Sequence, residues 1–409
     1  MSHLFKPILK YEKDWCNIMG FKLPNMNSND IKLTTNLPKF DITAYNKYPE
    51  HNFVYDKLYI AKSQNLKCGK FEDIEFDKLE YPIFIKPRYG HKSETSKNCF
   101  KIKNKKHLEK YIKYHDMMWS EFINDKESMT DFILLNGNIV YQITYEYSQN
   151  TNGFVDEYKF ISIDNKPPEK IKSWVINNLK GFTGIVNVQY RGNKIIEVGL
   201  RLGKTGAYVK STNDEALIKN INNVIDNNYW DYNLEKEIKP KPFYSFKCFT
   251  YIPILFLIPQ HMMYFILKQF NCKPYQEYYF EPTGNGGSVF YTFLNDDFKK
   301  GMLCKKYLEY LFTLLQLIFI IGIIFSFYLI FNKNNSGYSL LFVLFILFLF
   351  RFLTPIYANH DCFKIQEFRY FNRKHKENTK CEEYKSKLNQ KTFYGRNVNI
   401  QNNIYNNFN

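Results

Sequence analysis

The sequence predicts an α+β domain followed by a helical region that crosses a membrane. Three observations carry this reading. Up to about residue 247, short apolar runs alternate with turn signals and amphipathic helices. Two pairs of those runs are joined by Asn/Gly turns, which favours antiparallel hairpins over a parallel doubly wound sheet. Beyond that point, the blocks Tyr307–Phe331 and Tyr338–Tyr357 are apolar on every helical face.

Composition sets the outer limits. The chain has 409 residues, too many for one ordinary core, and a 45% apolar share that excludes wholesale disorder. The formal net charge is +16, which admits nucleotides, nucleic acid or an anionic membrane face as partners. Eight cysteines are scattered without a C-x-x-C pair, which excludes a zinc ribbon and a thioredoxin-type motif. They read as reduced thiols facing the cytosol. The stretch from Met1 to Glu12 has no apolar core, so no secretory signal peptide is expected there.

The elements follow in chain order. Tyr81–Ile85 is a short apolar run read as a buried strand. Asp131–Leu135 and Ile139–Ile143 flank Asn136–Gly137–Asn138, a strong hairpin signal. Pro167–Pro168 opens a helix with Ile171, Trp174, Val175 and Leu179 on one face, and Gly181 closes it. Ile185–Tyr190 and Lys194–Leu200 form a second hairpin around Arg191–Gly192–Asn193. A helix from about Asp214 carries Leu217, Ile221, Val224 and Ile225 on one stripe.

Three apolar blocks come next. Cys248–Leu267 is broken by Pro253, Pro259, Gln260 and His261, so a bent interfacial or re-entrant segment is expected, with a third span as the alternative. The other two blocks are long enough to cross a hydrocarbon layer, which takes about 20 apolar residues. A buried hairpin in a soluble domain is the competing reading. Lys299, Lys300, Lys305 and Lys306 precede the pair, and ten basic residues from Lys364 to Arg396 follow it. Both flanks are therefore expected in the cytosol, with the tip Asn332–Gly337 on the far side.

Three constellations carry possible chemistry. Lys86 ends a strand, and Gly90, Ser93, Thr95 and Ser96 follow in a loop; fixed charge, close backbone approach and hydroxyl donors all suit a polyphosphate. A plain basic surface loop fits the same residues. Glu121–Phe122–Ile123 is an extended stretch whose backbone can pair with a base edge, and a carboxylate a few residues on, Glu127 or Asp131, can take ribose hydroxyls; an ordinary strand end also fits. Strand alternation puts Glu197, Gly199 and Arg201 on one face, with Gln189 across the hairpin. Carboxylate and amide oxygens suit Mg2+, and Arg suits a transferring phosphate. A strand-surface ion pair between Glu197 and Arg201 is the alternative.

In this order, the residues resemble the ATP-grasp family over roughly residues 50–230. The resemblance implies two α+β subdomains clasping a nucleotide, with ATP and Mg2+ as cofactors. It makes Lys86 the phosphate lysine of a flexible lid holding Gly90 and Ser93, and Lys57, after Tyr55–Asp56, a second phosphate lysine. It makes Glu121, Phe122 and Ile123 the adenine hinge and Glu127 the ribose carboxylate. It makes Gln189 and Glu197 metal ligands and Arg201, in Glu197-x-Gly199-x-Arg201, the phosphate arginine. Two departures stand out: Gly199 replaces the family's usual Asn, and only about 50 residues precede the domain where the family has a full α/β domain.

The resemblance implies a ligase that activates a carboxylate as an acyl phosphate for attack by an amine or thiol. A degenerate module without turnover, acting as a membrane-bound scaffold, is the alternative. The expected organisation is a short N-terminal region (1–55), the ATP-grasp domain (56–230), a linker with the interfacial segment (231–306, segment 248–267), a transmembrane hairpin (307–357) and a basic cytosolic tail (358–409). The expected partners are ATP, a carboxylate, an amine or thiol, and the lipid bilayer. No specific nucleic acid is expected, because much of the positive charge is juxtamembrane.

Overall fold

The computed structural model describes residues 33–38, 41–75, 78–92, 99–108, 116–149, 151–152, 155–161, 165–203, 207–212, 214–252, 260–276, 281–282 and 287–353. Ser93 and the tail 358–409 lie outside the described residues. The chain divides into two compact units. Among the described residues, the first holds 33–149 and 159–243, and the second 151–158 and 244–353.

In the first unit, α1 (Asp41–Lys47) and α2 (Lys57–Ser63) precede a four-stranded antiparallel sheet. Its strands are β1 (Cys68–Lys70), β2 (Ile83–Pro87), β3 (Phe100–Ile102) and β4 (Met117–Glu121), in the order β1-β4-β2-β3. Ile83, Ile85, Ile102, Leu108 and Met117 close a small core on one side of it.

A second antiparallel sheet is built from β5 (Glu127–Leu135), β6 (Asn138–Tyr147), a short β7 (Tyr158–Ile161) whose residues 159–161 pair with β6, β8 (Gly184–Arg191) and β9 (Lys194–Gly199), with α3 (Glu169–Asn178) between β7 and β8. Its strand order is β9-β8-β5-β6-β7. The turn joining β5 to β6 puts Asn136 at φ 50° and Gly137 at φ 80°. Two positive φ values in a row are what a type I′ hairpin turn requires. A Cβ on Gly137 would also fall 2.8 Å from the Gly181 nitrogen.

Alternation sorts this sheet into two faces. Phe132, Leu134, Val186, Val188, Tyr190, Ile195 and Val198 pack with Ile171, Trp174 and Val175 of α3 and with Leu179 just past its end in one core. The opposite face carries Glu127, Met129, Asp131, Asn187, Gln189, Glu197 and Gly199. Asp214 caps α4 (Glu215–Asn227) by accepting from the Leu217 nitrogen at 2.9 Å, and Leu217, Ile221 and Val224 are buried as their stripe predicts.

The stretch 231–306 is not a linker. In the second unit, β10 (Tyr244–Thr250), β11 (Lys273–Gln276) and β12 (Ser288–Asn295) pair antiparallel, with β12 central. Segment 248–267 is therefore not one interfacial element: residues 248–250 finish β10, and 260–267 belong to α5 (Gln260–Gln269). Residues 253–259, with both prolines, lie outside the described residues. Apolar residues such as Cys248 and Phe249 serve a packed strand here, and a short apolar run does not tell a core strand from a membrane segment.

Two helices complete the unit, α6 (Phe298–Phe331) and α7 (Ser336–Leu353). Helix α6 starts before the apolar block because Asp297 caps it, accepting from the Lys300 nitrogen at 3.1 Å. Its first turns pack on the sheet; a Cβ at Gly301 would fall 2.1 Å from the Phe246 ring, so only glycine fits. Further along, Phe319 meets Leu344 of α7, which makes the expected helical hairpin. Helix α6 is long and apolar enough to cross a membrane, and Ile321, Ile324, Phe327 and Phe331 each keep more than half of their surface exposed.

Candidate functional site

The candidate site lies on the polar face of the second sheet in the first unit. Gln189 stands directly opposite Glu197 in the β8–β9 register, as the alternation predicts. Next to this pair the register shifts, and Ile196 has no partner in it. The carbonyl of Ile196 accepts instead from Lys86 Nζ at 2.6 Å. A bulge thus re-aims one backbone oxygen at the end of β2.

Lys57 and Lys86 are both buried. Lys57 Nζ lies 3.3 Å from Glu197 Oε1, and the Glu197 side chain keeps 39% of its surface open, so this carboxylate is within reach of solvent. The two lysines are held by a clamp between α2 and the end of β2. Asp56 Oδ1 caps α2 at the Leu58 nitrogen (2.9 Å), and its carboxylate receives Arg88 Nε and Nη2 at 2.9 and 2.6 Å. The Lys57 nitrogen donates to the Arg88 carbonyl at 2.9 Å. Gln64 fixes the other end of α2, exchanging two hydrogen bonds with the Ile195 backbone (2.9 and 2.7 Å).

The electrostatics follow from this crowding. Burial, reinforced by the neighbouring Lys57 charge, pushes the Lys86 ammonium down to about 8. Burial alone would raise the Glu197 carboxyl, but Lys57, Lys86 and Arg201 outweigh it and hold it below its ordinary value. Arg201 is opposed by burial and held charged by Asp41, whose Oδ2 accepts from Nη2 at 2.6 Å. Gly90 comes close to this group: a Cβ there would be 3.5 Å from Glu197 Oε1. His91, next in the chain, is buried and stacks on Tyr45 at 3.7 Å between ring centroids.

The proposed hinge residues lie at the end of β4. The Glu121 nitrogen donates to the Lys67 carbonyl (2.8 Å), and its Oε1 accepts from the Lys67 nitrogen (3.1 Å). Phe122 lies under Lys101 Nζ at 3.8 Å, and Arg191 Nη1 donates to the Ile123 carbonyl at 3.2 Å. Glu127 Oε2 receives Nε and Nη2 of the same arginine at 3.1 and 2.9 Å. Arg191 thus ties hinge to carboxylate. The sequence offered only its position beside a turn, and it was missed.

Of two further acids, Asp131 reads in the sequence beside Glu127 as a carboxylate for the ribose, and Asp41 was missed. Asp131 is buried on the site face, where its carboxylate receives Asn187 Nδ2 (2.6 Å), the Gly203 nitrogen (2.9 Å) and the Tyr145 hydroxyl (3.0 Å). Burial outweighs these donors and pushes its carboxyl up to about 6. Asp41 lies over Gly199, and its pairing with Arg201 spans too much sequence to be read locally. Alternation puts Asp131 on the same face of β5 as Glu127.

Oxygen donors at the paired Glu197 and Gln189 fit a hard divalent cation. They are few: among the described residues no three His, Cys, Asp or Glu gather at one point. A Mg2+ ion held mainly by phosphate oxygens and water suits such a set.

No protein-family model matches the sequence, and no curated protein matches it. Solved structures align with part of the chain. An L-amino acid ligase from Bacillus licheniformis is 17% identical, with 62% of this chain and 69% of that chain covered at a TM-score of 0.41. An N5-carboxyaminoimidazole synthase from Aspergillus clavatus, in complex with ADP and a ribonucleotide, is 11% identical, with 64% and 77% covered at 0.43. An N5-carboxyaminoimidazole synthetase from Staphylococcus aureus, complexed with ADP, is 14% identical, with 62% and 72% covered at 0.41.

Proposed function

We propose that the first unit binds Mg·ATP and activates a carboxylate as an acyl phosphate, in the manner of ATP-grasp ligases. An amine or thiol then attacks the acyl carbon, and phosphate leaves. The observation that carries this is the convergence of Lys57, Lys86 and Glu197, with Gln189 in register opposite Glu197. Arg201, two residues past the end of β9, is close enough to Glu197 to favour its charged form.

The residues divide the work by charge. Lys86 and Lys57 offer buried positive charge to the terminal phosphates, where low dielectric strengthens it. Arg201 offers a planar fork to the transferring phosphoryl group. Glu197 and Gln189 would hold Mg2+, which when bound neutralises phosphate charge. Glu121, Phe122 and Ile123 would hold the base, and Glu127, braced by Arg191, the ribose. Gly90 and the loop carrying Ser93 would cover the phosphates.

The apolar hairpin would anchor the enzyme in a membrane, with the domain and the tail in the cytosol where ATP is supplied. The substrates would then be lipid-linked or delivered at the membrane. A second reading is a module that binds nucleotide without turnover; Gly199, which offers no side chain between Glu197 and Arg201, favours it.

The test is thermal unfolding of the detergent-solubilised chain with Mg·ATP, followed by phosphate release with pools of amino acids and lipid head groups. A ligand at a hundred times its Kd adds about 2.7 kcal/mol. A chain that is folded but unmoved by millimolar Mg·ATP refutes the reading. A shift without phosphate release for any pool favours the second reading.

A further inference from the structure

Gly199 follows Glu197 on the polar face and ends β9 two residues before Arg201, yet its φ is not in the positive range that calls for glycine. Space, not backbone strain, is what favours glycine here. A Cβ at 199 would fall 2.8 Å from Asp41 Oδ1, so a carboxylate from α1 occupies the volume that a side chain at 199 would enter. The other oxygen of that carboxylate holds Arg201 Nη2 at 2.6 Å. The Tyr55 hydroxyl, which accepts from the Leu200 nitrogen at 2.9 Å, also bonds Asp41. Arg201 Nη1 donates to the Leu202 carbonyl at 2.9 Å, so two of its nitrogens are fixed from two directions.

We propose that Asp41 is a positioning residue that takes the place of the side chain missing at Gly199, and that it orients Arg201 toward the terminal phosphate of the nucleotide. Helix α1 is then part of the site, although it precedes the domain in sequence. This rests on the nucleotide-binding reading above. The arrangement is reciprocal: Asp41 needs a glycine at 199, and a larger residue at 199 needs position 41 cleared. It also sets the balance of charge. Asp41 neutralises part of an excess made by Lys57, Lys86 and Arg201 against Glu197, and it does so at the guanidinium edge and not at either lysine.

A competing-anion role predicts the opposite result. If Asp41 merely blocked Arg201, its removal would tighten binding of the triphosphate. A purely structural role would weaken triphosphate and diphosphate alike. A positioning role weakens the triphosphate selectively, because only the terminal phosphate meets Arg201.

The experiment uses the solubilised full chain, with fluorescent N-methylanthraniloyl-ATP and -ADP titrated in Mg2+, and with melting temperature followed in parallel. The expected result for Asp41→Ala is loss of about tenfold in preference for ATP over ADP, the scale of one charge-assisted hydrogen bond. Gly199→Asn alone should lower the melting temperature and the preference together, since the new side chain meets Asp41. The double variant Asp41→Ala/Gly199→Asn should regain both. Should Asp41→Ala not fold, Asp41→Asn keeps the shape and one acceptor oxygen; it should melt near the parent and lose several-fold of the preference.

An unchanged or increased ATP preference in Asp41→Ala or Asp41→Asn overturns the inference. So does a double variant whose losses simply add. Equal binding of both nucleotides by the parent chain overturns it as well, because a held Arg201 must tell three phosphates from two. A parent chain that binds neither nucleotide overturns the nucleotide reading itself, and this inference with it.

Discussion

Lys57 Nζ lies 3.3 Å from Glu197 Oε1, joining the first residue of α2 to the edge strand β9. The lysine is buried, while the carboxylate is partly exposed. This pair links the part of the chain that starts the domain to the part that closes it.

Removing the acid should therefore cost stability and ligand together. Breaking a fully buried pair costs about 3–5 kcal/mol; with a partly exposed carboxylate roughly 1–3 kcal/mol is expected for Glu197→Ala. Glu197→Gln keeps the shape, should cost less, and should abolish Mg2+-dependent turnover. Urea unfolding and Mn2+ titration check the two effects separately. Unchanged metal response in Glu197→Gln would remove Glu197 from the metal site.

Lys86 gives a pH signature. Its folded value is about 8, against an ordinary 10.5, because of burial first and Lys57 second. A lysine so depressed destabilises the fold while charged, so stability should rise with pH between about 8 and 10.5, by ~3 kcal/mol at most. A bound polyphosphate restores the charged form. Nucleotide binding near pH 8.5 should then take up roughly 0.7 proton. Calorimetry in buffers of different ionisation heat measures this, and Lys86→Met should show no uptake.

Asp131 gives the opposite sign. Its folded value is raised to about 6 from 3.8, chiefly by burial. The stability it contributes is fully present below the unfolded value and is lost as pH rises through about 6. The parent should gain ~2–3 kcal/mol relative to Asp131→Asn between pH 7.5 and pH 3.5. Chemical unfolding of both proteins at both values decides it; an identical gap at the two pH values contradicts the assignment.

The hairpin makes a topological prediction. In a cysteine-free background, a single cysteine at Ser386 should be protected from an impermeant reagent in intact cells, and one at Ser336 should be labelled. Labelling at 386 and not at 336 would invert the topology. Release of the chain by alkaline carbonate would show that α6 and α7 do not span.

Local rules made much of this legible. Asn136–Gly137 demanded positive φ and delivered a hairpin; Pro168 and Asp214 marked helix starts; alternation placed Glu197, Gly199 and Gln189 on one face. Each follows from sterics or capping within a few residues, so no distant partner is needed to read it. The stretch 231–306 failed for the converse reason. An apolar run such as 248–250 acquires its identity from the strand beside it, here β12, and nothing in the run itself names that partner.

The sequence by itself determined the α+β character, both hairpins, the apolar helices and the identity of the charged groups at the site. Only the tertiary structure decided how those charges are spent. It paired Lys57 with Glu197, Arg191 with Glu127 and Arg201 with Asp41, and it placed the Asp41 carboxylate in the space above Gly199. The physical reason is range. Backbone geometry acts over a few residues and is written locally. Ion pairs and packing act through space, and which groups meet is fixed only when the sheet has closed.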